Sequence, residues 1–410
     1  MGLGWIDFDR EDRAKAMTIL HMLREHIAVD ELGFGIVRDA FADAFFPGTS
    51  TIQTRAKYFL LIPYILREAT SGKYGFGRKE VLAQIANLEH KAAIRMFERN
   101  KDEPGLIGKT VLPKGWVARK PSDIYWNGIR TLEIYQGRNS LSEYVSGELF
   151  YRSSKGEGLG NARTEEDGTG DDVDVGFSSA TGILNIDSIF RKDWLTTLQM
   201  ALTKDEAKYL EDRILCSKAT KDSLFAILLK GRESVGKYFK AIEGHPDSSP
   251  FELFAKAMLV KYDLSERIKR LLLLAVDFNK LVYAARVLYN KMMGNETAEE
   301  FWELIRETGF SKYANLDIVG LLDALKLPPN PKYQVFLVRF MEALKEGDIG
   351  RMKDEISRQE RQLKGGRAKL DHRDKYSPQK WIGGDWLDFR LVDAGRILDD
   401  IFNGLGVKPC

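Results

Sequence analysis

The sequence predicts a mainly α-helical, multi-helical protein, with room for a small winged-helix-like α+β element in its N-terminal part. Apolar residues recur every three or four positions through most of the chain, which is the period of a helix that buries one face. Ser, Thr and Asp residues stand directly before many of these stretches, where they can cap the first free amides of a helix. At 410 residues, the chain is long enough for two or three domains.

The N-terminal part begins with a series of helices whose ends are marked by capping or breaking residues. The first helix is expected to start after Asp9 or Asp12 and to run through His26. Another is expected to cover residues 36–46 and to end at Pro47, and a further one to run from about Arg78 to Asn100. Between the last two, Thr49, Ser50 and Thr51 offer alternative N-caps for a helix that continues to Thr70. Pro63 lies inside that helix and predicts a kink or break near Ile62.

Gly and Pro residues punctuate the stretch from Pro104 to Pro121, which is expected to be strand-like or a loop. Pro121 and the two residues after it open a helix to about Tyr135, and Ser140 caps the next helix. A short strand followed by this helix would be consistent with part of a winged-helix unit.

Residues 153–180 are rich in Gly, Ser and acidic side chains and contain few apolar ones. Such a segment cannot bury enough apolar surface to order itself, which predicts a mobile loop or an interdomain linker. The expected domains are therefore 1–152, basic and helical, and 181–410, helical. In the second domain Thr203, Ser265, Thr297 and Asp317 mark helix starts, and a final amphipathic helix with Leu391, Leu398 and Ile401 on one stripe ends at Gly404.

Positive charge is concentrated in one quarter of the chain. The stretch from Arg38 to Arg138 holds seventeen basic and ten acidic residues, a net charge of +7, whereas the whole chain has +2. A local excess of this kind usually faces an anion, most often nucleic acid.

The residues from Gly48 to Lys57 could form an anion site at a helix N-terminus. Free amides there attract phosphate, and the hydroxyls of Thr49, Ser50 and Thr51 and the charges of Arg55 and Lys57 would add to the attraction. The alternative is an ordinary helix cap whose Arg55 forms an ion pair with Asp39 or Asp43.

Two further segments combine cations with side chains suited to nucleic acid. In residues 113–130 cations alternate with aromatic rings, the mixture that pairs phosphates and stacks bases, and the loop GGRAKL near the C-terminus suits a phosphate contact. The alternatives are that Trp126, Ile129 and Leu132 are core residues and that the C-terminal cations only stabilise a helix end. The candidate nucleic-acid-binding residues of these segments are Lys114, Trp116, Arg119, Lys120, Arg130, Arg367 and Lys369.

No reaction can be derived from the motifs. GRESVGK, Gly231–Lys237, resembles a phosphate loop but has Tyr238 where a magnesium-binding hydroxyl is needed, and its surroundings have a helical pattern. Glu206-Ala207-Lys208 has a nuclease-like spacing but lies in the first turn of a capped helix. The five histidines are scattered and the two cysteines cannot form a metal cluster, so no metal site and no cofactor is expected. No apolar run is long enough to span a membrane, and we expect no secretory signal and a cytoplasmic location.

Several stretches are similar to one family of bacterial and archaeal proteins. They are GWIDF, ELGFGIVRDAFADAFFPGTSTIQTRAKYFLLIPY, SDIYWNGIRTLEIY, LTKDEAKYLEDRI and the ending GGRAKL…WIGGDWLDFRLVDAGRILDDI. Together they resemble domain-of-unknown-function family 6361 from Trp5 to Ile401, most specifically between Phe46 and Tyr64. The resemblance implies no activity. It does imply an association with phage-defence gene neighbourhoods that encode helicases and nucleases.

We therefore expect a non-catalytic, nucleic-acid-associated accessory subunit of an anti-phage defence or DNA-processing system. Its partners would be nucleic acid, with DNA favoured, and a defence helicase or nuclease. The alternative is a helical protein-interaction scaffold whose basic face meets an acidic protein, and a third hypothesis is an unrecognised nuclease.

Overall fold

A computed structural model describes residues 30–71, 77–154, 183–241, 249–328 and 330–409. The α-helices are α1 (Gly35–Phe45), α2 (Tyr58–Ala69), α3 (Arg78–Arg99), α4 (Pro121–Thr131), α5 (Leu141–Ser154), α6 (Trp194–Thr197), α7 (Lys204–Cys216), α8 (Leu224–Gly231), α9 (Gly236–Lys240), α10 (Pro250–Lys261), α11 (Glu266–Met292), α12 (Glu296–Thr308), α13 (Ile318–Leu325), α14 (Pro331–Glu346), α15 (Ile349–Lys364) and α16 (Leu391–Leu405). Strands β1 (Tyr135–Gln136) and β2 (Ile183–Leu184) form one antiparallel pair. The mainly α fold class is confirmed.

The chain divides into two compact units. The larger unit contains Ala42–Lys240 and Asp388–Cys410, and the smaller unit contains the residues up to Phe41 together with Ala241–Leu387. This grouping differs from the predicted domains, because the described residues on both sides of segment 153–180 belong to the larger unit. Residues 155–182 of that segment lie outside the described residues, so its linker character stays a prediction, as does the first helix through His26.

The larger unit has its core around α2, in which ten of the twelve residues are buried. α2 packs against α3 and α4, and α16 packs against α7. The buried face of α16 holds Leu391, Leu398 and Ile401, as the predicted stripe requires, although the helix ends at Leu405 with Gly406 as its C-cap, and not at Gly404. In the smaller unit the 27-residue helix α11 lies at the centre and contacts α10, α12, α13 and α15.

Most helix caps follow from local sequence. Thr203 and Glu206 form a reciprocal capping box at α7, and Ser265 and Asp317 cap α11 and α13, as predicted. The predicted cap at Thr297 is wrong, because Asn295 accepts the hydrogen bond from Ala298 N at 3.0 Å and α12 begins at Glu296. Asn and Thr are both favourable at the N-cap, and here the cap is Asn295, the residue directly before the first turn.

The start of α2 differs from its prediction. The helix begins at Tyr58 and not near Thr51, because Ser50–Lys57 forms turns that are held by contacts with other parts of the chain. Pro63 lies within α2 without ending it. Burial of the apolar residues around Pro63 offsets the loss of one backbone hydrogen bond.

The winged-helix expectation required a strand before α4, and none is present there. Residues 104–120 are all described and form turns up to residue 114, followed by irregular chain up to the start of α4. β1 follows α4 and pairs in register with β2, Tyr135 opposite Leu184 and Gln136 opposite Ile183. The Gly- and Pro-rich composition of 104–120 therefore indicated turns and not a strand.

A close approach at Gly128 determines how α4 packs. A Cβ atom at this position would lie 2.4 Å from Gly48 O and 2.5 Å from the ring of Phe59. Only glycine allows this distance between α4, α2 and the turn at Gly48, which itself has a φ of +83°.

We expect Gly128→Ala to destabilise the protein by about 1–3 kcal/mol or more, since the added methyl group must displace backbone and a packed ring. Thermal or urea unfolding would measure the change. Gly236→Ala is the matched control, because nothing lies within 4 Å of a Cβ atom there. Equal stability of the two variants would contradict the close packing of α4.

Candidate nucleic-acid interface

The hydroxyls predicted to bind phosphate lie in the turn before α2. Thr49 is buried, and its Oγ1 donates a hydrogen bond to Phe46 O at 2.7 Å. Ser50 is partly buried and Thr51 is exposed. The side chain of Gln53 donates to Gly48 O at 3.1 Å and accepts from Ser50 N at 3.2 Å. The side chains of Thr49 and Gln53 therefore stabilise the turn itself, and the helix begins only at Tyr58, so Thr49, Ser50 and Thr51 do not stand at its N-terminus.

Arg55 forms two ion pairs inside the larger unit. Its Nε lies 3.0 Å from the carboxylate of Asp400, and its guanidinium also donates to Glu103 at 2.5 Å. Burial alone would lower the pKa of Arg55, but hydrogen bonds and charge from Asp400 and Glu103 outweigh it and leave the pKa raised. The structural alternative is therefore favoured, with different partners from those predicted. Asp39 pairs with Arg38, and Asp43 pairs with Arg390.

Lys57 is also engaged internally. Its side chain is 4% exposed, and Nζ lies 2.6 Å and 2.8 Å from the two carboxylate oxygens of Glu206. Burial lowers the pKa of Lys57, against the opposing effect of the Glu206 charge. The same carboxylate accepts hydrogen bonds from Thr203 N and the Tyr64 hydroxyl. Glu206 is thus a structural residue, while Lys208 of the nuclease-like triplet pairs with Glu211 at 2.9 Å.

The aromatic and basic segment 113–130 divides into a core part and an exposed part. Trp126, Ile129 and Leu132 are buried, which confirms the core alternative for these three. The ring of Trp116 stacks on His90 with centroids 5.2 Å apart, so one of its faces is occupied. The cations remain at the surface: Lys114 and Arg119 are exposed, Lys120 and Arg130 are half-buried, and none of the four pairs with a carboxylate in the described part of the chain.

The predicted residues of the GGRAKL loop lie in the smaller unit. Arg367 is exposed, whereas Lys369 Nζ pairs with Glu31 at 2.6 Å. The loop is fixed by the buried carboxylate of Glu360, which accepts hydrogen bonds from Lys369 N at 2.9 Å and Leu370 N at 3.1 Å. These contacts give the loop an internal role, and of the two cations only Arg367 has no carboxylate partner among the described residues.

A row of cations on α3 was missed by the sequence reasoning. Lys91, Arg95 and Arg99 are spaced by four residues, so they lie along one stripe of the helix, and all three are exposed. Among the described residues no carboxylate pairs with any of them. Arg95 and Arg99 instead donate to the same backbone oxygen of Thr196, at 3.5 Å and 2.7 Å. The i, i+4 spacing within a predicted helix was the signal that could have identified this stripe.

The phosphate-loop lookalike GRESVGK does not form a phosphate loop. Gly231 ends α8, Arg232 has a left-handed backbone, and Glu233 is buried against Lys237 and the Tyr238 hydroxyl. Within the described ranges no group of three or more His, Cys, Asp and Glu residues is placed to hold a metal ion. No described helix is both long and apolar enough to cross a lipid bilayer.

Glu89 is a buried residue of α3 whose pKa lies near neutrality. Its Oε1 accepts a hydrogen bond from Ser122 N at 2.7 Å at the start of α4. Burial raises the pKa of Glu89 to about 7, against the lowering effect of the hydrogen bonds from Ser122. The carboxyl group is therefore largely protonated in the folded protein below neutral pH.

We expect stability to fall as the pH rises through this range. A raised pKa in the folded state gives a stabilisation that is fully present below the ordinary value of 4.5 and is lost as the pH rises through about 7. Glu89→Gln removes the charge but keeps the hydrogen-bond acceptor. It should stabilise the protein above neutral pH by roughly 3 kcal/mol relative to wild type and have little effect near pH 5, as measured by urea unfolding. An unchanged pH profile in the variant would rule out this role.

For Arg55 we expect a structural phenotype. Arg55→Ala leaves the carboxylates of Glu103 and Asp400 without their cation and should cost about 3–5 kcal/mol of unfolding free energy. DNA affinity per folded molecule should stay unchanged. Arg119→Ala, at an exposed and unpaired cation, is the control for stability and should change it by no more than about 0.5 kcal/mol. A loss of DNA affinity at full stability would instead place Arg55 at the phosphate.

Comparison with known proteins supports a family over part of the chain. Residues 1–154 match the model of a family described as a family of unknown function (DUF6361). No curated protein and no solved structure matches the chain. The matched range includes the block from Phe46 to Tyr64 and the stripe on α3, and ends where α5 ends. Residues 1–154 are therefore similar to the family of unknown function DUF6361.

Proposed function

We propose that the protein is a non-catalytic accessory subunit that binds the backbone of nucleic acid, in a bacterial anti-phage defence or DNA-processing system. The observation on which this proposal depends is the exposed stripe of Lys91, Arg95 and Arg99 on α3. DNA is the favoured ligand, and a helicase or nuclease of the same system is the proposed protein partner.

The stripe is suited to phosphates because its charges are not neutralised within the described part of the chain. Four residues of α-helix rise about 6 Å, so the three side chains present cations at regular intervals along a rigid element. Arginine adds several fixed donors to its charge, which suits it to phosphate oxygens. Lys101, Lys114 and Arg119 are further exposed cations of the larger unit that have no carboxylate partner among the described residues.

The stripe contains no feature that distinguishes one base from another. Backbone binding of this kind is electrostatic, independent of sequence and strongly dependent on salt. An accessory subunit that holds a strand for a separate enzyme needs this type of binding more than it needs base recognition.

We expect DNA affinity to fall steeply with salt, and the slope to depend on the stripe. Changing Lys91, Arg95 and Arg99 together to Gln should reduce the slope of log affinity against log salt by about 3, which is roughly one unit for each lost phosphate contact. Fluorescence anisotropy with labelled duplex and single-stranded DNA would measure it.

The matched control changes Arg339, Lys345 and Lys353 to Gln. These three cations are exposed on α14 and α15 of the smaller unit and have no ion pair in the described chain. The control removes the same charge and should leave the slope unchanged. Equal effects of both variants, or no DNA binding at low salt, would contradict the proposal. If the protein binds an acidic protein and DNA of unrelated sequence does not displace that partner, the scaffold alternative is favoured.

A further inference from the structure

Two adjoining hollows lie next to the stripe, in the same unit. The first has a volume of about 420 Å³ and is lined by residues that include Arg99, Asn100 and Gln199. The second has a volume of about 300 Å³ and is lined by residues that include Lys57, Tyr64 and Gln199. Gln199 lines both, so the two hollows adjoin at this residue, and we call them together the Gln199 groove. Its size is in the range of small-molecule sites.

The Lys57 ammonium group, which lines the second hollow, has a proton that is not used in a hydrogen bond to the described chain. Lys57 Nζ has three protons, yet its only contact in the described chain is the carboxylate of Glu206. That carboxylate is filled, because it also accepts from Thr203 N at 2.8 Å and from the Tyr64 hydroxyl at 3.3 Å. A buried ammonium group with an unused proton at a cavity wall favours a ligand that brings an acceptor atom.

Aromatic residues complete the second hollow. Tyr64 and Trp194 line it, with ring centroids 6.2 Å apart, and the indole of Trp194 is fixed by a hydrogen bond to Glu68 at 2.6 Å. The two rings are tilted by 50° to each other. Aromatic side chains at a cavity wall suit a planar heterocycle, and a nucleobase supplies both the plane and the acceptor atoms.

The first hollow is lined by a positively charged side chain, whereas the second is lined by aromatic rings. Arg99 lines it, and its guanidinium meets that of Arg95 at Thr196 O, so two cations converge on one neutral oxygen and keep their other donors. Glu103 also lines this hollow, but its charge is taken up by Arg55. Two convergent guanidinium groups with unused donors match the oxygens of one phosphate.

We propose that the Gln199 groove binds one nucleoside monophosphate unit, with the phosphate at Arg95 and Arg99 and the base in the second hollow against Lys57 and Tyr64. An unpaired nucleotide of a nucleic-acid strand and a free nucleotide share this chemistry. An unpaired nucleotide as the ligand rests on the proposed function, since a nucleic-acid strand must then be bound along the stripe. A free nucleotide as the ligand does not require a bound strand.

Calorimetry on the full chain would test the site with deoxyadenosine monophosphate, deoxyadenosine and inorganic phosphate as probes. The monophosphate should bind at least about tenfold more tightly than either part alone, because both hollows contribute. Arg99→Gln should weaken the monophosphate by about tenfold and leave deoxyadenosine unchanged. Lys91→Gln is the control, since Lys91 belongs to the same stripe but lines neither hollow, and it should leave all three affinities unchanged.

A second variant blocks the groove. Gln199 is exposed, so Gln199→Trp can fill the groove without disturbing the core, and it should abolish binding of the monophosphate at an unchanged melting temperature. If it also weakens single-stranded but not duplex DNA, the ligand is an unpaired nucleotide. If DNA is unaffected, the ligand is a free nucleotide. No binding of the monophosphate, or equal binding by wild type and Gln199→Trp, would overturn the site, whereas salt-dependent DNA binding would still support the proposed function.

Discussion

The larger unit depends on one carboxylate, that of Asp400 in α16. It accepts hydrogen bonds from the guanidinium of Arg55 at 3.0 Å and from the amide of Ala56 at 2.8 Å, and so fixes the turn that leads into α2. From the other side the hydroxyl of Tyr125 holds the same turn, through Thr54 N at 2.7 Å and Arg55 O at 2.9 Å. Three distant parts of the chain thus meet at one turn. Because these groups are partly withdrawn from water, each is costly to leave without its partner.

The parts of this arrangement that are local in sequence could be predicted, and the rest could not. Thr203 and Glu206 are three residues apart, and their capping box follows from that spacing alone. The amphipathic stripe of α16 likewise identifies its buried face. Arg55 and Asp400, in contrast, are 345 positions apart, and many carboxylates in the chain could have paired with Arg55 equally well. Asp39 and Asp43 were reasonable candidates by proximity in sequence, but proximity in the fold decided the pairing.

The same distinction explains how far the candidate interface could be predicted. A net charge of +7 counts cations without regard to their partners, and the fold divides them into two groups. Arg55 and Lys57 have internal carboxylate partners from other parts of the chain, which no pattern in the sequence reveals. Lys91, Arg95 and Arg99 have none among the described residues, and their spacing of four was visible. Helical periodicity thus indicates which cations share a face, whereas the fold determines which of them are neutralised.

The two-part composition of the larger unit has a consequence for the order of folding during synthesis. α16 is made after the whole of Ala241–Leu387, so the ribosome completes most of the smaller unit before the last helix of the larger unit exists. Until then, α7 has no α16 to cover its apolar face and Arg55 has no Asp400. The nascent larger unit is therefore the part that chaperones would need to protect, for as long as translation continues.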